Sequence, residues 1–173
     1  MAFLSPQKII TGLALTPGQK IVDFGCGTGA YIQAAESILT RSGSIYGVDI
    51  NKQLLEKIHS ETTDSNGAPI TALWADIGNT FSLPIENNTI DVVIFSNICS
   101  LLEDTSHLWI EAKRILKHNG KLLVVDWLAD NSIVSPAHYT TQSELEESCK
   151  KIGYETIQQI PAGDHHFAFI ATK

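Results

Sequence analysis

The stretch Ile21 to Tyr31, IVDFGCGTGAY, sets an apolar run against a turn with glycines at 25, 27 and 29, and helix-forming residues follow at once. A strand that enters a helix through such a turn opens a βα crossover, and crossovers commit a chain to a parallel sheet. The glycines let bare backbone approach a ligand, and the following helix aims its N-terminus at the same place.

The rest of the chain repeats this alternation. Ser5-Pro6 reads as an N-cap with proline at the first helical position, opening a short helix through Leu13 or Leu15. KIVDF is the first strand, Ala30–Thr40 a helix with Ile32, Ala35, Ile38 and Leu39 on one stripe, SIYGVDI a second strand and KQLLEKIH a second helix. SNGAP then turns into the strand ITALWAD, and Asn87 and Asn88 turn into IDVVIFS. A helix is expected over Thr105–His118, stopped by Gly120 as its C′ residue, before the strand KLLVVDW. Thr141 and Glu144 have capping-box spacing and start a helix ending at Gly153. The last two strands, YETIQQI and HHFAFIATK, are joined only by Pro161-Ala162-Gly163-Asp164, enough for a hairpin and too short for a crossover. These elements predict a doubly wound α/β sheet whose last strand is antiparallel, with ligands at the carboxyl ends of the strands.

Length and charge narrow the function. At 173 residues the chain reads as a single domain, residues 1–173, with no separate substrate domain. A formal charge of −7 leaves no basic footprint for a phosphate backbone, which speaks against a nucleic-acid substrate. Cys26, Cys99 and Cys149 have no metal-ligand spacing and read as reduced, buried thiols of a cytoplasmic protein. No run approaches the ~18 apolar residues of a membrane span. No heptad or long apolar run demands an oligomer, so monomer and homodimer both stay open.

The glycine turn fits two cofactors. Gly25, Gly27 and Ala30 satisfy G-x-G-x-x-G/A, whereas Asp23, Gly25, Gly27 and Gly29 spell D-x-G-x-G-x-G. A pyrophosphate wants amide donors without a carboxylate nearby; S-adenosylmethionine, with its sulfonium and ammonium, is attracted by one. Asp23 therefore favours the cationic ligand. Asp49, ending the second strand, suits ribose hydroxyls under either reading. Asp76, ending the third, can accept from an adenine amino group while Ile77 packs on the ring; it can also simply cap a turn.

In order along the chain, VDFGCGTG, YGVDI, ADIGNTFSLP, IDVVIFSNI, EAKRILKHNGKLLVVDW and the closing hairpin resemble the motifs of class I S-adenosylmethionine-dependent methyltransferases. SPAHYT, KKIGYE and HHFAFIATK are similar to small bacterial proteins grouped with the ubiquinone/menaquinone-biosynthesis methyltransferases. The resemblance implies a Rossmann-like, seven-stranded sheet of order 3-2-1-4-5-7-6. It also implies that Asp23 partners the methionine ammonium, directly or through water, with Gly25, Gly27 and Gly29 beneath the cofactor. Asp49 falls on the ribose, with Ile50 among the cofactor residues, Asp76 and Ile77 at the adenine, and Ser96 with Asn97 beside the methionine portion. The narrower group often carries a histidine after strand four, where this chain reads NICSLLED and offers Ser100. A hydroxyl is a poor base at neutral pH.

Methyl transfer gains mostly from alignment, so a strong base is needed only where the acceptor must lose a proton. The candidates are His138, in the loop after strand five with Tyr139 and Trp127, His165 at the start of the last strand, and Ser100. His165 and His166 alternate, so at most one of them faces the acceptor. A metal held by Asp126, His138 and one of His165 or His166 lacks ligand spacing, and no metal is expected. Arsenic chemistry would need cooperating thiolates, and Cys99 and Cys149 are not obviously adjacent in sequence. The expected function is methyl transfer to a small-molecule acceptor by in-line displacement. A non-catalytic cofactor-binding module and a protein methyltransferase are the alternatives.

Overall fold

The computed structural model describes residues 3–62, 67–79, 81–128 and 140–173. Seven strands, β1 (Lys20–Phe24), β2 (Ser44–Asp49), β3 (Ile70–Trp74), β4 (Ile90–Ser96), β5 (Leu116–Trp127), β6 (Thr156–Ile160) and β7 (His166–Thr172), form one sheet of order β3-β2-β1-β4-β5-β7-β6. Pairing is parallel from β3 across to β5, and β7 runs antiparallel to both β5 and β6. The strand order and the closing hairpin are those expected from the sequence.

Strand alternation assigns each residue to one of two apolar layers. Ile21, Ile94 and Leu123 pack with α1 (Pro6–Gly12), α2 (Ala30–Leu39) and α3 (Lys52–Thr62) on one face. Phe24, Phe95 and Phe169 pack with α4 (Ser106–Ile115) and α5 (Gln142–Ile152) on the other. There Phe24 meets Phe95 edge-on at 5.3 Å, and Phe95 meets Trp109 at 5.1 Å. Such aromatic pairs are worth about 0.5–1.5 kcal/mol beyond the area they bury. No helix among the described residues is long and apolar enough to cross a membrane.

Local rules account for most boundaries. Thr141 caps α5 in a full capping box: its hydroxyl accepts from the Glu144 amide, and the Glu144 carboxylate accepts from the Thr141 amide at 2.7 Å. Thr141→Ala is expected to cost about 1 kcal/mol, read as a lower urea midpoint with an unchanged slope. Ser5 stands at the N-cap of α1, yet its side chain makes no capping bond, and Pro6 alone marks the start.

The expected helix Thr105–His118 is shorter, ending at Ile115, and His118 lies within β5. Tertiary contacts end it early. Leu116 turns extended to pair with Ile90 of β4, and the Lys173 ammonium donates to the Lys113 and Leu116 carbonyls at 2.5 and 2.6 Å. Asn119 rather than Gly120 takes the left-handed conformation in the following turn, at φ +63°.

Buried Glu111 anchors the segment that runs from the end of β3 to β4. Its carboxylate receives Arg114 Nη2 and the Leu83 amide, each at 2.7 Å, while Arg114 also donates to the Ile85 carbonyl. A buried charge is tolerated when paired in this way. The arrangement fixes the chain just beyond Asp76.

Candidate cofactor and active site

The carboxyl ends of β1, β2, β3 and β4 converge on a cleft of about 510 Å³. Of the sequence candidates, Gly25, Gly27, Asp49, Ile50, Asp76, Ile77, Ser96 and Asn97 line it together. Gly78, Ile98, Leu101 and Leu102 complete the wall. No lysine or arginine lines the cleft among the described residues.

The glycine turn is built by backbone geometry. Gly25, Gly27 and Gly29 have φ of +70°, +54° and +80°, the region that L side chains avoid. The Gly25 and Cys26 amides both donate to the Val48 carbonyl, at 2.8 and 3.0 Å, binding the turn to β2. Gly29 is the N-cap of α2 and supplies no side-chain cap. A Cβ there would press on Ile58, so Gly29 serves helix packing and stands outside the cleft wall.

Asp49 organises the next wall. Its two oxygens accept separately from the amides of Gly27 and Asn51, both at 2.8 Å, which leaves lone pairs on a fixed carboxylate for further donors. Asp76 combines its two sequence readings. It caps a turn, accepting from the Gly78 amide at 3.0 Å and Asn79 Nδ2 at 2.7 Å, and it lines the cleft.

Asp23 differs from both. It is 1% exposed and stands behind the cleft wall, and neither carboxylate oxygen has a hydrogen-bond partner among the described residues. Burial, with the Asp49 charge alongside, pushes its pKa up to about 8. Beside it on the same face, burial pushes the Tyr31 hydroxyl up to about 12. An unpartnered carboxylate at this depth is a site for a cation or a hydrogen-bond donor that the chain does not itself provide. The residues therefore fit the ammonium-bearing S-adenosylmethionine, whose charge favours ionised Asp23, whereas a pyrophosphate brings no cation to this carboxyl.

The catalytic candidates are more dispersed. Ser100 lies in the short turn Cys99–Leu101 after β4, is 4% exposed, and stands outside the cleft wall. Its amide and that of Cys99 donate to Asp126 Oδ2 at 3.2 and 3.0 Å. Burial raises the Asp126 pKa, and hydrogen bonds from Ser100, Trp127 and Cys99 partly offset it. The His165 carbonyl accepts from the Leu128 amide at 2.9 Å, and the His165 Nε2 is buried without a partner among the described residues. His138, with Tyr139 and most of the SPAHYT loop, lies outside the described residues.

Contacts behind the wall, and several residues in it, carry no sequence signal of their own. His107 Nε2 lies 2.6 Å from the Ile77 carbonyl, joining the first turn of α4 to the loop after β3. Trp74 Nε1 donates to the Ile50 carbonyl at 2.9 Å. The wall residues Leu101 and Leu102 stand as an apolar pair in NICSLLED, and Gly78 in the Asp-x-Gly turn at Asp76; only the fold brings them to the cleft. Cys99 and Cys149, not obviously adjacent in sequence, share the α4/α5 layer, and each is fully buried. Burial holds the Cys99 thiol well above its ordinary pKa and pushes Cys149 up to about 12, so both are protonated thiols. No group of three or more His, Cys, Asp or Glu residues able to hold a metal occurs among the described residues.

Comparison with known proteins agrees with this geometry. The family described as Methyltransferase domain matches residues 15–165. The demethylmenaquinone methyltransferase of Lactiplantibacillus plantarum is 27% identical over 120 residues, covering 69% of this chain and 50% of that protein. An arsenite methyltransferase of Halobacterium salinarum is 21% identical over 160 residues, covering 86% of this chain and 40% of that protein. The chain thus spans half or less of the length of these curated relatives. The crystal structure of a SAM dependent methyltransferase from Aquifex aeolicus superposes with a TM-score of 0.84 at 18% identity, covering 98% of this chain and 90% of the other. With the sheet order, the glycine turn and the unpartnered acid all in place, the chain belongs to the methyltransferase domain family, as a class I domain whose cofactor is S-adenosylmethionine.

Proposed function

We propose that this chain transfers a methyl group from S-adenosylmethionine to a small organic acceptor by in-line displacement, working as one cytoplasmic domain, monomeric or dimeric. The observation that carries this reading is Asp23, a buried carboxylate with no partner among the described residues, two residues before the glycine turn that walls an acidic cleft. When bound, S-adenosylmethionine supplies an electrophilic methyl: the acceptor's lone pair forms the new bond, and the methyl–sulfur bond breaks with its electrons left on sulfur.

The chain's part is binding and alignment. Asp23 takes the ammonium end, Ser96 and Asn97 flank the methionine portion, Asp49 accepts from ribose hydroxyls, and Asp76 with Ile77 holds the adenine. Asn97 is held at φ +55° with its amide on the Val125 carbonyl at 2.9 Å, which sets its side chain at the end of β4. Alignment of this kind supplies a large share of a displacement barrier. For acceptors that must shed a proton, the proposed groups are His138, Ser100 and one of the two histidines where β7 begins, His165 or His166.

The buried, protonated cysteines argue for an organic acceptor over the arsenite of one relative. Asp49→Ala is expected to weaken S-adenosylhomocysteine binding by roughly 10- to 100-fold, the loss of charge-assisted hydrogen bonds, measured by titration calorimetry. Activity and acceptor class are tested together by incubating the protein with methyl-labelled S-adenosylmethionine and a cell lysate. Label in the small-molecule fraction supports the proposal. Label in protein identifies a protein methyltransferase, and no label despite tight cofactor binding identifies a binding module.

A further inference from the structure

The buried and half-buried polar groups on the α1/α2 face of the sheet continue past the cofactor cleft. Ile21, Ile94, Val125 and Ile170 face that layer, so alternation puts Asp23, Ser96, Trp127 and His166 on the same face, at the carboxyl edge of β1, β4 and β5 and the start of β7. Register joins them: Ser96 pairs with Val125, and two residues on Trp127 pairs with His166.

His166 is 8% exposed, and among the described residues neither ring nitrogen has a hydrogen-bond partner. Its ring lies on that of Trp127, centroids 3.9 Å apart and planes 36° from parallel. A buried imidazole left without any partner is costly unless a ligand supplies one. Asp23 is accounted for by the cofactor's ammonium; His166 has no such use, and it lies two strands beyond β4. Burial, with His165 beside it, lowers its pKa, so the ring is neutral and presents a lone pair. The acids of the neighbouring cleft, and the absence of lysine or arginine from its wall among the described residues, disfavour an anion.

We propose that Trp127 and His166 form the acceptor side of the site, receiving an uncharged planar compound whose nucleophilic O–H or N–H donates to the His166 ring. This rests on the methyltransferase reading above. Of the two histidines at this end of the sheet, it assigns acceptor contact to His166, which stands in β7 opposite Trp127, in place of the sequence candidate His165, which precedes the strand.

Phenol, with benzoate as its anionic counterpart, tests the proposal on protein saturated with S-adenosylhomocysteine. Ring-nitrogen NMR of His166, assigned with His166→Gln, and fluorescence of Trp127, assigned with Trp127→Phe, read binding without turnover. Phenol is expected to move both signals saturably and to bind at least about tenfold more tightly than benzoate. His166→Phe, which keeps a ring against Trp127 but loses the acceptor, should weaken phenol about tenfold, and His166→Gln should recover part of the loss. S-adenosylhomocysteine affinity within about twofold of wild type shows each variant to be folded. The subsite is overturned if phenol leaves the His166 and Trp127 signals unmoved, if benzoate binds equally well, or if His166→Phe binds phenol like wild type. Failure of S-adenosylhomocysteine itself to bind the wild-type protein would instead overturn the methyltransferase reading, and this subsite with it.

Discussion

Asp23→Asn is expected to lower S-adenosylhomocysteine affinity by at least about 10-fold while making the ligand-free protein more stable at pH 8. Both effects come from one group. The native carboxyl titrates at about 8 because burial, then Asp49, disfavours its charge, whereas its ordinary value is 3.8. Between those values the unfolded chain has released the proton and the native state still holds it. Stability is therefore complete below about pH 4 and is lost progressively as pH rises toward 8. Asparagine has no charge to bury, so the variant should exceed wild type at pH 8 by on the order of 2–5 kcal/mol, with little difference at pH 4. Melting curves across this range check the slope. A bound ammonium restores the charged form, so cofactor binding near neutral pH should release a proton from Asp23. The calorimetric enthalpy then depends on the buffer's ionisation enthalpy, and Asp23→Asn removes that dependence.

The second large effect is at Gly25. An alanine there must hold φ +70°, and its Cβ would overlap Ile98 Cγ2 and touch Ile77 Cδ1 at 3.5 Å. Ile98 follows Asn97 in the cleft wall, so relief of the clash displaces the surface that Asp49 and Ile77 share with it. Gly25→Ala is expected to cost more than about 2 kcal/mol of stability and to abolish measurable cofactor binding. Gly27→Ala provides the contrast. At φ +54° it is strained as well, but the nearest atom to its Cβ is the Gly25 carbonyl at 3.9 Å, so about 1 kcal/mol of stability is expected to be lost. Urea unfolding and calorimetry on the two variants separate the steric requirement at Gly25 from the conformational one common to both.

What could be read from the sequence, and what could not, divides along a physical line. KIVDF and IDVVIFS are strands of their full expected length because apolar runs bounded by turn residues leave few other ways to bury them. Asp49 and Asp76 were recognisable because a carboxylate at a strand's end, beside a glycine turn, falls on the ligand edge of a doubly wound sheet. The end of α4 was not, because it depends on Lys173, which reaches its last carbonyls from 57 residues away in sequence. The same holds for the placement of Ile98, Leu101 and Leu102 in the wall, and for the closeness of Cys99 to Cys149. His107 reads as an ordinary helix residue until its ring is seen against the Ile77 carbonyl. His166 resembled its neighbour until the register put it on Trp127.

The central claim is that a cation-bearing sulfur nucleoside, held by Asp23, occupies the glycine-turn cleft. Its most direct test is a competition titration of the purified protein with S-adenosylhomocysteine and NAD⁺. The account predicts one saturable S-adenosylhomocysteine site that excess NAD⁺ does not displace and that Asp23→Asn weakens. Saturable NAD⁺ binding that excludes S-adenosylhomocysteine would contradict it.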